Sequence, residues 1–332
     1  MQRKGRHVAT GLAALVAGIT VSAGIASAEI RLQLGRSSSS PSTAAVGGDA
    51  ASGKTQPRFP IRAAFYYPWF PETWTVGGEY AHYRPSLGYY STTSVRVQRA
   101  HITALTYAGM NAAISEWTPP PHYRNARLRA LLAQTVRMRS ALRWSIYYSP
   151  EGKADPSPAE IASNLAYVRD SLAVSPAYLR VGGRFVVFVW SRGGADHTCS
   201  LADRWREANA LIGNAAYVVL KVFEGYRSCS SQPDSWHQYG PAVAVSLVAG
   251  HSYAISPGFW KADEVTPRLG RDLARFTQSI RAMIASKAPW QLVTTFNEWG
   301  EGTQVESSTS WATASGMGAY VDALHRLLGR SR

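Results

Sequence analysis

Between residues 61 and 328 the chain alternates short, unbroken apolar runs with longer segments whose apolar positions recur at helical spacing. The runs 61–67, 111–115, 143–148, 184–190, 217–223, 243–248, 253–256 and 291–296 read as strands. Segments 94–108, 125–141, 158–172, 201–212, 268–286 and 313–328 read as helices, the second of them strongly basic. The strand runs are apolar throughout rather than alternating, as expected of strands buried on both faces of a parallel sheet. Eight such runs with helices between them predict an α/β fold, a single-domain (β/α)8 barrel, rather than an open sheet.

The residues at the ends of the apolar runs carry the chemistry. The first run ends in Tyr66, Tyr67 and Trp69, the second in Glu116 and Trp117, the third in Tyr147, Tyr148 and Glu151. Trp190 closes the fourth, Glu224 comes after the fifth, and the last runs into Asn297-Glu298-Trp299-Gly300-Glu301. In a barrel all these ends meet on one face, where active sites lie. Carboxylates have little reason to sit beside a Trp on an apolar strand unless the strand opens on a polar cleft. Aromatics with a few acids suit sugar chemistry: rings stack on pyranose faces, and two carboxyls divide the proton work. Glu298 and Glu301 are the candidate catalytic pair, brought within reach of one substrate if the segment turns helically. The substrate-binding candidates are Tyr66, Tyr67, Trp69, Glu116, Trp117, Tyr148, Glu151, Trp190, Glu224 and Trp299. Barrel glycosidases commonly draw acid and base from different strands, so Glu116, Glu151 and Glu224 stand as alternative partners, Glu116 foremost.

Residues 1–28 have a basic start at Arg3, Lys4 and Arg6, an apolar stretch, and Ala26-Ser27-Ala28, the pattern of a signal peptide. Residues 29–57 are rich in Ser, Ala and Gly and read as a disordered linker, leaving 58–332 for the barrel. The protein is expected to be exported, either free or retained at the cell envelope, and to act as a monomer. Cys199 and Cys229 are the only cysteines, and in an oxidising compartment an even pair reads as one disulfide. The eight histidines show no metal-ligand spacing, so neither a metal nor another cofactor is expected. The net charge of +14 is mostly Arg, scattered rather than gathered in a stripe. That argues against a nucleic-acid module and allows electrostatic association with an anionic envelope.

Three motifs, Tyr66-Tyr67-Pro68-Trp69, Ser256-Pro257-Gly258-Phe259 and Phe296-Asn297-Glu298-Trp299-Gly300-Glu301-Gly302-Thr303-Gln304, together resemble glycoside hydrolase family 99 and its bacterial relatives. That family comprises endo-α-mannosidases and endo-α-mannanases. The resemblance implies a (β/α)8 barrel without a metal cofactor and a glycan or polysaccharide substrate. It implies that Glu301 is the general acid/base. Glu298 is then the base that deprotonates a neighbouring sugar hydroxyl, giving an anhydro-sugar and net retention. The chain departs from the family motif at Gly300, where a His is usual, and in Tyr147-Tyr148-Ser149-Pro150-Glu151. A second class stays open, a barrel that binds glycan without cleaving it or serves in cell-surface polysaccharide assembly.

Overall fold

The computed structural model describes residues 55–74, 80–192 and 198–329. The signal-peptide assignment and all but the last residues of the expected linker lie outside the described residues. Ten strands form one sheet: β1 (Ile61–Tyr66), β2 (Ala112–Trp117), β3 (Arg143–Tyr148), β4 (Arg180–Val181), β5 (Arg184–Val189), β6 (Ala216–Lys221), β7 (Ser235–His237), β8 (Val245–Val248), β9 (Ser252–Ile255) and β10 (Trp290–Val293). The ladder order is β7-β6-β5-β3-β2-β1-β10-β9-β8, and eight of these strands run parallel around a nearly closed barrel. The short β4 and the outer β8 pair antiparallel with β5 and β9. At the seam between β7 and β9, Ser235 Oγ lies 3.2 Å from His251 Nδ1.

Helices α1 (Val95–Tyr107), α2 (Tyr123–Arg137), α3 (Pro158–Tyr167), α4 (Cys199–Leu211), α5 (Leu273–Ala285) and α6 (Ala319–Leu328) follow β1, β2, β3, β5, β9 and β10. Helix α5 starts later than its pattern predicts because Asp272 caps it, its carboxylate accepting from the Arg275 N–H at 2.8 Å. Helix α6 likewise begins only after Gly318, which has positive φ. No α-helix lies between β6 and β9, where the sequence pattern also places none. The run 243–248 is not a barrel strand. Its place in the barrel falls to Ser235–His237, too short and too polar to be seen as an apolar run.

Two buried clusters define inside and outside. One consists of strand and loop residues without a helix side chain, among them Ile61, Ala63, Phe65, Ile114, Phe188, Val219 and Leu292, and fills the barrel. The other joins Ala64, Tyr66, Trp144, Tyr148 and Val187 to helix residues such as Leu128, Leu165, Trp205 and Leu324. Successive side chains along each strand therefore go alternately into the barrel and out toward the helices, as the pleat requires.

Cys199, the first residue of α4, is disulfide-bonded to Cys229 in the β6–β7 connection, with Cα atoms 5.2 Å apart. Among the described residues no helix is long and apolar enough to cross a membrane.

Candidate active site

The C-terminal ends of the strands surround a cavity of about 220 Å³. The pleat decides what lines it. Continuing the inward series of each strand brings Tyr67, Glu116, Tyr147, Ser149 and Trp190 to its wall, joined by Trp69, Arg124, Lys153, Tyr239, Glu298 and Glu301. The outward series takes the neighbouring residues away. Tyr66 is fully buried behind the sheet, its hydroxyl 2.9 Å from His101 Nδ1. Trp117 donates from Nε1 to Asn125 Oδ1 at 3.0 Å on α2, and Tyr148 accepts from Asn164 Nδ2 at 2.9 Å on α3. Glu151 is buried against α4, bonded to Arg204 and accepting from Trp205 Nε1 at 3.0 Å. Trp299 turns back into the protein and donates to Glu306 Oε2 at 3.0 Å. Glu224 is exposed after β6 and does not line the cavity. Of the twelve residues expected at the site, the structure thus gathers Tyr67, Trp69, Glu116, Trp190, Glu298 and Glu301. The other six, Tyr66, Trp117, Tyr148, Glu151, Glu224 and Trp299, stand apart from it.

The loop after β10 is held at every turn. Thr295 N–H donates to Thr303 O at 3.0 Å, and Val305 N–H donates back to Thr295 O at 2.9 Å, pinching the loop at its base. Asn297 clasps the end of β1: its Oδ1 accepts from Tyr67 N–H at 2.7 Å and its Nδ2 donates to Tyr67 O at 2.9 Å. On the far side Trp260 N–H donates to Glu301 O at 2.8 Å, and Arg271 donates to the carbonyls of Gly302 and Gln304. The turn is tight rather than helical, with Trp299 as its inward anchor between the two glutamates.

Glu298 is buried, and its Oε1 accepts from Tyr80 Oη at 2.9 Å and Gly300 N–H at 3.0 Å. Glu301 is partly buried and accepts from Tyr239 Oη at 3.1 Å, itself the acceptor from Tyr67 Oη at 2.9 Å. Burial and the charge of Glu301 push Glu298 well above the usual carboxylate range. Burial pushes Glu301 up to about 7, against the Tyr239 bond and the charges of Lys261 and Lys221. Both acids are therefore raised, Glu298 the more strongly, whereas the role of base calls for a Glu298 that is simply ionised. Two carboxyls so close titrate as a unit, and near neutrality the unit retains protons that isolated carboxyls would have lost.

Opposite them, Glu116 is bonded to Arg124 and Ser149 through Oε1, while its Oε2 is buried without a hydrogen-bond partner. Burial raises Glu116 as well, opposed by Arg124. The Arg124 guanidinium lies 5.2 Å over the Trp69 ring. Trp190 lies directly against Gly152, where a Cβ would fall 1.7 Å from its ring. Trp69 Nε1 and Tyr147 Oη are also buried without partners, so the wall offers two donors and an acceptor to an incoming polyol. Among the described residues no group of three or more His, Cys, Asp or Glu side chains is gathered as a metal would require. Arg124, Lys153, Tyr239 and Tyr80 escaped sequence reasoning. Only the inward parity of Tyr239 with His237 could have pointed to it.

No family model matches the chain, and no curated protein matches it in sequence. Its fold does have solved counterparts. The structure is similar to that of a glycoside hydrolase family 99 endo-α-mannosidase from Bacteroides thetaiotaomicron, with TM-score 0.62 and 17% identity over 83% of this chain and 100% of the other. The same enzyme in complex with bis-tris-propane gives TM-score 0.61 and 19% identity over 82% and 96%. A glycoside hydrolase-like protein gives TM-score 0.56 and 15% identity over 82% and 94%. At such identities the likeness is one of fold.

Proposed function

We propose that this protein is an exported glycoside hydrolase, endo-acting and retaining, on a mannose-containing or related glycan. The observation that carries the reading is the pair Glu298 and Glu301, two coupled carboxyls opening on one aromatic-walled cavity with their pKa values raised. Hydrolysis of a glycosidic bond by two carboxyls needs one protonated and one ionised, and a coupled pair near neutral pH supplies that state. Two donors converge on Glu298 against one on Glu301, and those donors oppose the upward push of burial on Glu298, the acid that this reading needs ionised.

In this reading Glu298 takes the proton from the hydroxyl beside the anomeric carbon, and that oxygen attacks the carbon as Glu301 protonates the departing oxygen. Glu301, now ionised, then takes a proton from water as it opens the anhydro-sugar, and Glu298 returns its proton to the ring hydroxyl. Two inversions leave the configuration retained. Trp69 and Trp190 provide ring faces, and Glu116 Oε2 accepts from a sugar hydroxyl. The likeness of fold to an endo-α-mannosidase supports the substrate class, and the Cys199–Cys229 disulfide supports an oxidising compartment.

The test is release of reducing ends from a panel of α-mannans and other envelope polysaccharides, with Glu298→Gln as control. Release by the wild type and not by the variant is the expected result. Tight glycan binding without release by either would overturn hydrolysis in favour of a binding barrel.

A further inference from the structure

We infer that Tyr80 is the positioning residue of the candidate base Glu298, and that Gly300 is the residue that admits it. The inference rests on the reading of Glu298 as base and assigns a role to a side chain which that reading does not use. Tyr80 stands in the long β1–α1 connection, 218 residues from Glu298 in sequence, yet its hydroxyl donates to Glu298 Oε1 at 2.9 Å. Its ring meets Phe70 and Trp74 edge-on, each at 6.2 Å, so the hydroxyl is held by packing. The ring also lies over the bare Cα of Gly300. A Cβ at 300 would fall 2.5 Å from Cζ and 2.7 Å from Oη of Tyr80, distances no real side chain tolerates. Any residue larger than Gly at 300 therefore excludes Tyr80 from its place. The departure of this chain from the resembled motif and the presence of a tyrosine donor are one matched arrangement.

The chemistry of the arrangement is directional. The Tyr80 hydroxyl and the Gly300 N–H both engage Oε1, fixing the carboxylate plane and leaving Oε2 as the oxygen available to take a proton. A fixed donor favours the ionised form. It opposes burial and the charges of Glu301 and Glu116, the acids that act on Glu298. The other titratable groups turned toward it are Tyr67 and Tyr239, both held neutral by burial. Without Tyr80, Glu298 retains its proton to higher pH and is a poorer base.

The experiment tracks Glu298 by NMR of protein carrying 13C in its glutamate carboxyls, in a Glu301→Gln background that removes the coupling. The resonance is assigned by its loss in Glu298→Gln. Tyr80→Phe is expected to raise the Glu298 midpoint by about one pH unit, the share of a hydrogen bond to a charged group. Gly300→Ala is expected to raise it similarly, and to add nothing once Tyr80→Ala is present. An unchanged midpoint in Tyr80→Phe overturns the inference. So does a Gly300→Ala shift that persists without Tyr80. Because no glycan enters the titration, a protein that shows the shifts but releases no sugar loses the hydrolase reading and keeps this one. A protein that hydrolyses glycan without the shifts loses only this one.

Discussion

Two sets of aromatic and acidic residues leave the same strand ends and go to different places. Tyr67, Glu116, Tyr147 and Trp190 enter the cavity, while Tyr66, Trp117 and Tyr148 pass outward to α1, α2 and α3, and Glu151 beyond β3 goes to α4. The sets match in composition, and at the ends of β1, β2 and β3 they differ by one residue in register. Outward members have their polar atoms satisfied: Tyr66 by His101, Trp117 by Asn125, Tyr148 by Asn164. Two inward members keep an atom open: Glu116 Oε2 and Tyr147 Oη, like Trp69 Nε1 beside them, are buried without partners, while Tyr67 Oη is bonded to Tyr239 within the wall. At the cavity wall, a buried polar atom without a partner marks a residue with hydrogen-bonding capacity left for something that is not part of the chain.

The sharpest challenge to this division is loss of activity without loss of fold. Glu298→Gln is expected to lower turnover by about 10²–10⁴-fold on every glycan the wild type cleaves, with no loss of melting temperature. Glu301→Gln is expected to lose as much on natural glycans and to regain much of it with an activated aryl leaving group, measured as kcat on both substrates.

Next in size is the contrast between two tryptophans. Trp117→Ala is expected to destabilise the protein by about 3–5 kcal/mol through the cavity it leaves, read by denaturant titration. Trp190→Ala, at the partly exposed wall, is expected to cost far less stability and to raise KM roughly tenfold through the lost ring contact.

A third outcome turns on pH. A carboxyl at about 7 in the folded protein and near 4.5 when unfolded holds a proton only in the folded state between those values. Stability from this group is therefore full below about 4.5 and lost as pH rises through about 7. Glu301→Gln is expected to match the wild type at pH 4 and to exceed it by about 1–3 kcal/mol at pH 8. Equal thermal stability of the two proteins at pH 8 would remove the claim that burial raises this acid.

The smallest effect pairs two tyrosines. Tyr66→Phe leaves His101 Nδ1 short of a partner and is expected to cost about 1–2 kcal/mol with kcat intact. Tyr67→Phe, which removes the hydroxyl donating to Tyr239, is expected to change kcat and the pH profile more than stability.

The barrel was legible in the sequence because continuous apolar strands separated by amphipathic helices admit few other arrangements. The loop of Glu298 and Glu301 was legible because acids directly after an apolar strand have no packing role. The division between Tyr66 and Tyr67, or Glu116 and Trp117, was not. In strands buried on both faces each series is apolar, so alternation carries no sign of which side is the barrel interior. Strand β7 was hidden for a different reason: Ser235, Trp236 and His237 include a single apolar residue, and neighbouring ladders, rather than its own pattern, make it a strand. Tyr80 and Arg124 were beyond reach because they arrive from a long connection and a helix, where nothing local distinguishes them from ordinary surface residues.

The disulfide bears on more than the compartment. It joins the start of α4 to the one arc of the barrel where helices are missing, between β6 and β9. Elsewhere a packed helix clamps each strand from outside. Here a covalent link does part of that work, and the strand it steadies leads to Tyr239, the hydrogen-bond donor to Glu301. Opening Cys199–Cys229 with a thiol reductant is expected to loosen this arc before the rest of the barrel, read as hydrogen exchange that rises first in residues 229–239.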